Sequence, residues 1–147
     1  MQNTVVFDLD GTLANIDHRL HFLKKEPKNW DSFFSKVSGD KVNSWCKTLC
    51  DMFSQSGFIV LIVSGRPERC LKDTEKWLED NMINRDGLIL VRRNGDHAPD
   101  DFLKEKWLKS YGKERILFVV DDRQRVVDMW RRNGVTCLQC ASWKENV

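Results

Sequence analysis

The feature that most constrains the fold is a regular alternation of short, continuous apolar runs with segments of helical periodicity. The apolar runs are predicted strands at Thr4–Phe7, Phe58–Val63, Leu88–Val91, Ile116–Val120 and Val135–Cys140. The segments predicted as helices are about 42–56, a stretch carrying Cys70 to Leu78, about 100–110, and a stretch carrying Val126 to Trp130. Continuous apolar strands that alternate with helices are typical of a parallel sheet covered on both faces. We therefore expect an α/β fold with a Rossmann-like parallel sheet, built as one domain over residues 1–147.

One segment interrupts this alternation. Residues 14–41 are mostly polar and contain helix-breaking residues, so we predict an irregular segment that forms a small cap insert after the first strand. It contains three aromatic residues, Trp30, Phe33 and Phe34. They either form the small core of the cap, which we favour, or stack on a nucleobase.

Charge and cysteine usage limit the classes of protein. The formal net charge of +2 argues against a histone-like electrostatic binder but leaves a local basic groove open. The N-terminus lacks the basic start and apolar stretch of a signal peptide, and the longest apolar run is too short to cross a bilayer. The five cysteines are expected to be reduced, and Cys137 and Cys140 have no second pair to complete a zinc site. We expect a cytoplasmic protein with no membrane partner; the sequence does not predict its oligomeric state.

The unusual polar residues follow the predicted strands. Because ligands bind beyond the carboxyl ends of parallel strands, these residues are expected to meet at one edge of the sheet. They are Asp8 and Asp10 after the first strand, Ser64 and Arg66 after the second, and Asp121 and Asp122 after the fourth.

Converging carboxylates indicate a metal-dependent reaction. Such acids repel one another unless a cation lies among them, and hard oxygen ligands suit Mg²⁺. A carboxylate can also attack phosphorus to form an aspartyl-phosphate, while a neighbouring acid protonates the leaving oxygen. If strand geometry continues past the first strand, Asp8 and Asp10 share a face. Thr12 is predicted to bond a phosphate oxygen or to cap the turn, and Ser64 with Gly65 to form an anion site before a helix N-terminus.

The run Asp8-Leu9-Asp10-Gly11-Thr12, with Ser64 and the Asp121-Asp122 pair, resembles the motifs of the haloacid-dehalogenase-like (HAD-like) phosphohydrolase superfamily. The resemblance covers essentially the whole chain. It implies a Rossmann-like core in which Asp8 is the nucleophile and Asp10 the general acid and base. It implies that Mg²⁺ is held by Asp8, the backbone carbonyl of Asp10, and one or both of Asp121 and Asp122. An acid at the position of Asp10 is typical of the phosphatases in this superfamily.

A narrower resemblance is to the phosphatase domain of phage polynucleotide kinase-phosphatase. It is carried by the segments 63–66 and 121–135, by Leu13-Ala14 with Arg19, and by the third-motif region with Asp100 and Lys104. It implies that Lys104 is catalytic and that Arg19, Arg66 and Asp100 serve substrate binding. The implied reaction is removal of a 3′-phosphate from DNA or RNA ends, as in nucleic-acid end repair, or from nucleoside 3′-monophosphates. A phage origin would place the enzyme in the host cytoplasm.

Other functions remain open. No Gly-x-x-x-x-Gly-Lys-Ser/Thr loop occurs in these 147 residues, so we expect a phosphatase without a kinase module of that type. The first alternative is a phosphatase for 5′-nucleotides or other small phosphometabolites, and the short insert favours a polymer end over these. The second alternative is a non-catalytic binding module built on a phosphatase core.

Overall fold

A computed structural model of the chain describes residues 1–142. In chain order the strands are β1 (Thr4–Phe7), β2 (Ala14–Asn15), β3 (Lys41–Val42), β4 (Ile59–Pro67), β5 (Gly87–Arg92), β6 (Ile116–Asp121) and β7 (Cys137–Gln139). The α-helices are α1 (Trp30–Ser35), α2 (Ser44–Gln55), α3 (Leu71–Asp80), α4 (Asp100–Tyr111) and α5 (Gln124–Arg132). Short 3₁₀ helices cover Asp17–Leu23, Val37–Gly39, Glu68–Cys70 and Lys113–Arg115.

Five strands form one parallel sheet in the order β5-β4-β1-β6-β7, which confirms the α/β prediction. Successive residues of β1 enter different hydrophobic clusters, because side chains alternate across a strand. Val5 and Phe7 pack with residues of α2 and α3, whereas Val6 packs with residues of α4 and α5. Helices therefore cover both faces of the sheet, and β1 lies at its centre.

The strand that precedes Ser64 is longer than predicted. The sequence places its end at Val63, but β4 continues to Pro67 because the backbone keeps pairing with β5 up to Arg92, across a register shift. The following α-helix begins only at Leu71, after a 3₁₀ turn. Ser64 and Gly65 therefore precede a helix, but the end of β4 and the 3₁₀ turn lie between them and α3, and the anion site stays a prediction.

The segment 14–41 contains more structure than the predicted irregular chain. Strands β2 and β3 pair at its base as a small antiparallel sheet, and α1 lies between them. Its side chains form a separate hydrophobic cluster around Ile16, Leu23 and Phe33. Within the described residues, no helix is long and apolar enough to cross a membrane.

Candidate active site

The carboxyl ends of β4, β1 and β6 border a cavity of about 300 Å³. Because these three strands are neighbours in the sheet, residues far apart in sequence meet there. The predicted site residues that line the cavity are Asp8, Asp10, Ser64, Gly65, Asp100, Lys104, Asp121 and Asp122. The prediction that the polar residues converge at one edge of the sheet is thus confirmed.

Lys104 lines this cavity and lies between two carboxylates. Its Nζ donates to Asp8 Oδ1 at 2.8 Å and to Asp121 Oδ2 at 2.9 Å. Lys104 is 2% exposed, so it is not part of an ordinary surface pair with Asp100. Helix α4 turns this lysine inwards, and Trp130 Nε1 on α5 also donates to Asp121 Oδ2, at 3.2 Å. The position of Asp121 is therefore fixed by donors from two helices.

Asp8, Asp121 and Asp122 form a buried acidic cluster, which we call the Asp8 cluster. One carboxylate oxygen from each lies within 4.8 Å of the others. Burial, followed by the charge of Asp121, raises the pKa of Asp8 well above its ordinary value and the pKa of Asp122 to about 7. With Lys104 supplying one positive charge, full ionisation would leave two net negative charges. The donor set and its charge fit a divalent cation with hard oxygen ligands, such as Mg²⁺.

Thr12 joins two members of this cluster. Its hydroxyl lies 3.1 Å from Asp8 Oδ2 and 3.4 Å from Asp122 Oδ1, so it donates to one of them at a time. Gly11, with φ of +81°, makes the preceding turn, and a Cβ there would collide with the carboxylate of Asp122. The glycine therefore allows the acid after β6 to approach the turn after β1.

Asp10 belongs to a different cluster, although it lines the same cavity. Arg66 donates to Asp10 Oδ1 through Nε at 3.0 Å and Nη2 at 2.6 Å, and Arg19 Nη2 donates to the same oxygen at 2.6 Å. Both arginines also donate to Asp40 Oδ2. Burial opposes ionisation of Asp10, but the charges of Arg66 and Arg19 outweigh it and lower the pKa of Asp10 to about 2.

The two acids of the first motif therefore have separate partners. Strand β1 ends at Phe7, so strand alternation does not extend through Asp8 and Asp10. Asp8 contacts Lys104 and Thr12, whereas Asp10 contacts the guanidinium groups of the Asp10 cluster, which is Asp10, Asp40, Arg19 and Arg66. The sequence predicted that Asp8 and Asp10 share a face only if strand geometry continued past the first strand. Strand geometry does not continue there, but both side chains line the cavity.

Arg19 and Arg66 are buried behind Asp10. Their side chains have no exposed surface, and neither lines the cavity. Arg66 Nη1 also donates to Thr74 on α3 at 2.9 Å, and Arg19 lies over the ring of Phe33 at 4.2 Å. In this structure both arginines donate to Asp10, and it is Asp10 that lines the cavity. Direct contact of the arginines with a substrate stays a prediction.

Asp100 links the loop after β5 to the end of β4. It accepts from Arg92 Nη2 and, at 3.2 Å, from Arg123 Nη1. A Cβ on Gly65 would lie 2.5 Å from Asp100 Oδ1, so only glycine permits this approach. Ser64 is also held locally, since its Oγ accepts from the backbone N–H of Arg66 at 3.1 Å. Roles of Asp100, Ser64 and Gly65 in binding substrate remain predictions.

Sequence reasoning missed two polar residues that organise the site. Asp40 is buried and accepts from Arg19, Arg66 and His18. Arg92 donates to the carbonyls of Gly65, Asp96 and Ala98 and so ties the loop to β4. An aspartate after a glycine reads as an ordinary turn, and an arginine at a strand end reads as a surface residue; neither local pattern distinguishes them.

The aromatic residues of the insert differ in their surroundings. Phe33 is buried in the insert's hydrophobic cluster, as expected for a core residue, and Phe34 packs against that cluster. Trp30, which is 39% exposed, and Phe34 both line the cavity. Stacking of these two residues on a nucleobase stays a prediction.

Comparison with known proteins places the chain in a family. Residues 2–143 match the family described as "Polynucleotide kinase PNKP phosphatase domain". The chain is 28% identical over 130 residues to a "Putative bifunctional polynucleotide kinase/RNA ligase" of Autographa californica nuclear polyhedrosis virus, covering 86% of this chain and 17% of that protein. In a "Structure of Pnkp1/Rnl/Hen1 complex", a chain 31% identical superimposes with a TM-score of 0.82, covering 98% of this chain and 47% of that one.

More distant structures share the fold alone. A "predicted phosphatase from Clostridium acetobutylicum" superimposes with a TM-score of 0.72 at 15% identity, covering 95% of this chain and 84% of that one. The chain spans less than half the length of the viral relative and of the matching chain in the complex. The family match over almost the whole sequence, together with the acids at the ends of β1 and β6, shows that this chain belongs to the HAD-like phosphatase domain family of polynucleotide kinase PNKP.

Proposed function

We propose that this chain is a Mg²⁺-dependent phosphomonoesterase that removes 3′-phosphates from DNA or RNA ends, or from nucleoside 3′-monophosphates, through an aspartyl-phosphate on Asp8. The observation that carries the proposal is that one cavity contains two acids in opposite electrostatic settings. Asp8 lies in an acidic cluster beside Lys104, and Asp10 is held by two arginines. One cavity thus holds a carboxylate that can attack phosphorus and a second carboxylate that can exchange a proton.

In the first step a carboxylate oxygen of Asp8 attacks phosphorus, and the bond between phosphorus and the 3′-oxygen breaks. Lys104 orients Asp8 and balances part of the charge of the transferring group. The leaving oxygen takes a proton from Asp10. The pKa of Asp10 is low in this structure, but the negative charge of a phosphate beside it would raise that pKa and favour the protonated form.

In the second step water attacks the phosphorus of the aspartyl-phosphate and restores Asp8. Asp10 accepts the proton of that water, which it can do because the two arginines keep its carboxylate ionised and hold it at the cavity. A divalent cation held by Asp8, the backbone carbonyl of Asp10, and Asp121 or Asp122 would offset the repulsion between carboxylates and phosphate. Segment 14–41 is proposed to act as a small cap that limits access of water.

The 3′ preference is supported by family membership, and the substrate experiment tests it. Two matched oligonucleotides, one ending in a 3′-phosphate and one in a 5′-phosphate, are incubated with the protein in Mg²⁺ and in chelator, and phosphate release is measured. We expect Mg²⁺-dependent release from the 3′ end only. Equal release from both ends, or release from the 5′ end only, would contradict the proposed substrate while leaving the mechanism in place.

The nucleophile is tested by Asp8→Asn, which keeps the size of the side chain but removes the attacking charge. We expect the turnover number to fall by a factor on the order of 10⁴ or more, because no covalent intermediate can form. Asp128→Asn, on the exposed face of α5, is the matched control and should retain full turnover. Turnover by Asp8→Asn within tenfold of the unchanged protein would exclude the covalent mechanism, and no turnover of any phosphate ester by the unchanged protein would favour a non-catalytic module.

A further inference from the structure

The cavity extends beyond the catalytic acids onto a wall that the reaction itself does not use. This wall carries Trp30 and Phe34 of α1, with Arg69 of the 3₁₀ turn after β4 beside them. The rings of Trp30 and Phe34 are stacked, with centroids 5.9 Å apart and planes 23° apart. Both rings line the cavity that the acids also line, and we call the pair the aromatic wall.

The aromatic wall is held in place from behind. The buried ring of Phe33 packs edge-on against Trp30 at 5.7 Å and against Phe34 at 5.2 Å. Phe33 in turn lies under the guanidinium of Arg19, whose Nη1 donates to the Phe33 carbonyl at 3.4 Å. Since Arg19 also bonds Asp10, the wall and the catalytic acid share one rigid support. A stacking surface fixed in this way loses little conformational entropy on binding.

Arg69 supplies a positive charge at the edge of the aromatic wall. Its guanidinium lies 5.9 Å from the ring centroid of Phe34, and Asn94 Oδ1 accepts from its backbone N–H at 2.8 Å. Its Nη2 contacts Asp31 Oδ1 at 3.0 Å, but the side chains of Arg69 and Asp31 are 44% and 93% exposed. Exposed pairs of this kind are weak, so a phosphate can replace Asp31 as the partner of Arg69 at little cost.

The other arginines on the cavity also have acidic partners. Arg92 and Arg123 donate to Asp100, and the Nε of Arg125, whose side chain is 45% exposed, lies 3.2 Å from Asp101 Oδ1. Arg69 differs in its position, because its guanidinium lies beside the aromatic wall. The combination of cavity-lining aromatic rings and a partly exposed arginine is typical of sites that bind single-stranded nucleic acid by stacking and phosphate contact.

We propose that Trp30 and Phe34 stack a base of the 3′-phosphorylated strand end and that Arg69 binds the phosphodiester on its 5′ side, so that the site prefers a single-stranded polynucleotide end to a nucleoside 3′-monophosphate. This inference rests on the proposed 3′-phosphatase function and names its substrate as a polymer. The segment that contributes the wall is also the predicted cap, which would then bind substrate as well as exclude water.

Stacking is tested with Trp30→Ala on 3′-phosphorylated oligonucleotides that carry either normal bases or an abasic site at the last or the penultimate position. We expect kcat/KM on the normal substrate to fall roughly 5- to 150-fold, mainly through KM, as for loss of one stacked base. The loss should disappear on one of the abasic substrates and be mostly recovered by Trp30→Phe. Trp45→Ala, at a tryptophan 45% exposed on α2 and away from the cavity, is the matched control. An equal loss on all three substrates would show a structural role and overturn stacking.

The phosphate contact is tested by the salt dependence of KM with Arg69→Ala. Each phosphate contact to a single strand contributes about 0.7 to the slope of log affinity against log salt, so we expect the slope for an oligonucleotide to fall by about that amount. The slope for a nucleoside 3′-monophosphate, which has no phosphodiester, should not change. Arg132→Ala, whose side chain is 57% exposed and pairs with Glu105, is the matched control. An unchanged slope on the oligonucleotide would overturn the role of Arg69.

The two proposals fail in different ways. If the unchanged protein hydrolyses 3′-phosphates but takes nucleoside 3′-monophosphates as efficiently as oligonucleotides, the polymer inference is wrong and the 3′-phosphatase function stands. If it shows no preference for the 3′ end at all, the proposed function itself is wrong, whatever the effect of Trp30→Ala.

Discussion

Two acidic clusters lie side by side in this cavity, and they differ in how their charge is balanced. The Asp8 cluster places three buried carboxylates beside one lysine, and the pKa of Asp122 rises to about 7. The Asp10 cluster places two carboxylates beside two guanidinium groups, and the pKa of Asp10 falls to about 2. When fully ionised, the Asp8 cluster keeps two net negative charges, whereas the charges of the Asp10 cluster balance. Two acids two residues apart therefore have different electrostatic settings.

The balanced Asp10 cluster should be sensitive to loss of either charge. In Asp40→Asn, two buried guanidinium groups would share the single carboxylate of Asp10, so we expect the free energy of unfolding to fall by about 3 to 5 kcal/mol. Denaturant unfolding measures the change. Asp80→Asn, which breaks an exposed pair with Lys76, should leave the free energy of unfolding almost unchanged. Equal, small effects of both substitutions would show that the Asp10 cluster is not held by charge balance.

Loss of a carboxylate charge from the Asp8 cluster should stabilise the protein, in contrast to the effect expected for the Asp10 cluster. Because the pKa of Asp122 is raised in the folded state, the stability that this group contributes is present below about pH 4 and is lost as the pH rises through about 7. Asp122→Asn removes that penalty, so without divalent cations we expect it to stabilise the protein at pH 8 by on the order of 3 kcal/mol. Thermal unfolding at pH 4 and pH 8 in chelator measures this. A destabilising effect at pH 8 would contradict the account of the cluster.

Acid conditions should affect Asp10 rather than Asp122. The pKa of Asp10 is lowered in the folded state, so its contribution is present above about pH 4 and is lost as the pH falls towards 2. Over that pH range we expect the free energy of unfolding of the unchanged protein to fall by about 2 kcal/mol more than that of Asp10→Asn. Urea unfolding at several pH values measures the difference. Parallel pH profiles for the two proteins would mean that Arg19 and Arg66 do not lower the pKa of Asp10.

Much of this arrangement could be predicted from the sequence, because parallel strands bring their carboxyl ends to one edge. The positions of Asp8, Ser64 and Asp121 followed from the apolar runs that precede them. Asp40 could not be predicted, because its partnership with Arg19 depends on how a segment of mixed polar composition folds back on itself. The longer extent of β4 was missed for a similar reason, since pairing with β5 overrides the turn signals of Gly65 and Pro67.

The separation of the two carboxylates of the first motif into different clusters was also beyond the sequence. Spacing of two residues indicates a shared face only while a strand continues, and β1 ends before Asp8. Lys104 of α4 contacts Asp8, and Arg66 of β4 contacts Asp10. These two long-range contacts place the acids in different clusters. The sequence therefore identifies the acids, and the tertiary structure assigns each its electrostatic setting.

The most direct test of the central claim is the effect of Mg²⁺ on thermal unfolding of the unchanged protein, Asp8→Asn and Asp10→Asn. Ligand at about ten times its dissociation constant stabilises a protein by about 1.4 kcal/mol, which raises Tm by roughly 3 to 6 °C for a chain of this size. We predict this shift for the unchanged protein and for Asp10→Asn, which keeps the backbone carbonyl, and no shift for Asp8→Asn, because Asp8 is a proposed ligand whether Asp121 or Asp122 completes the site. Equal shifts for both variants, or a shift lost only in Asp10→Asn, would contradict the assignment of the cation to the Asp8 cluster.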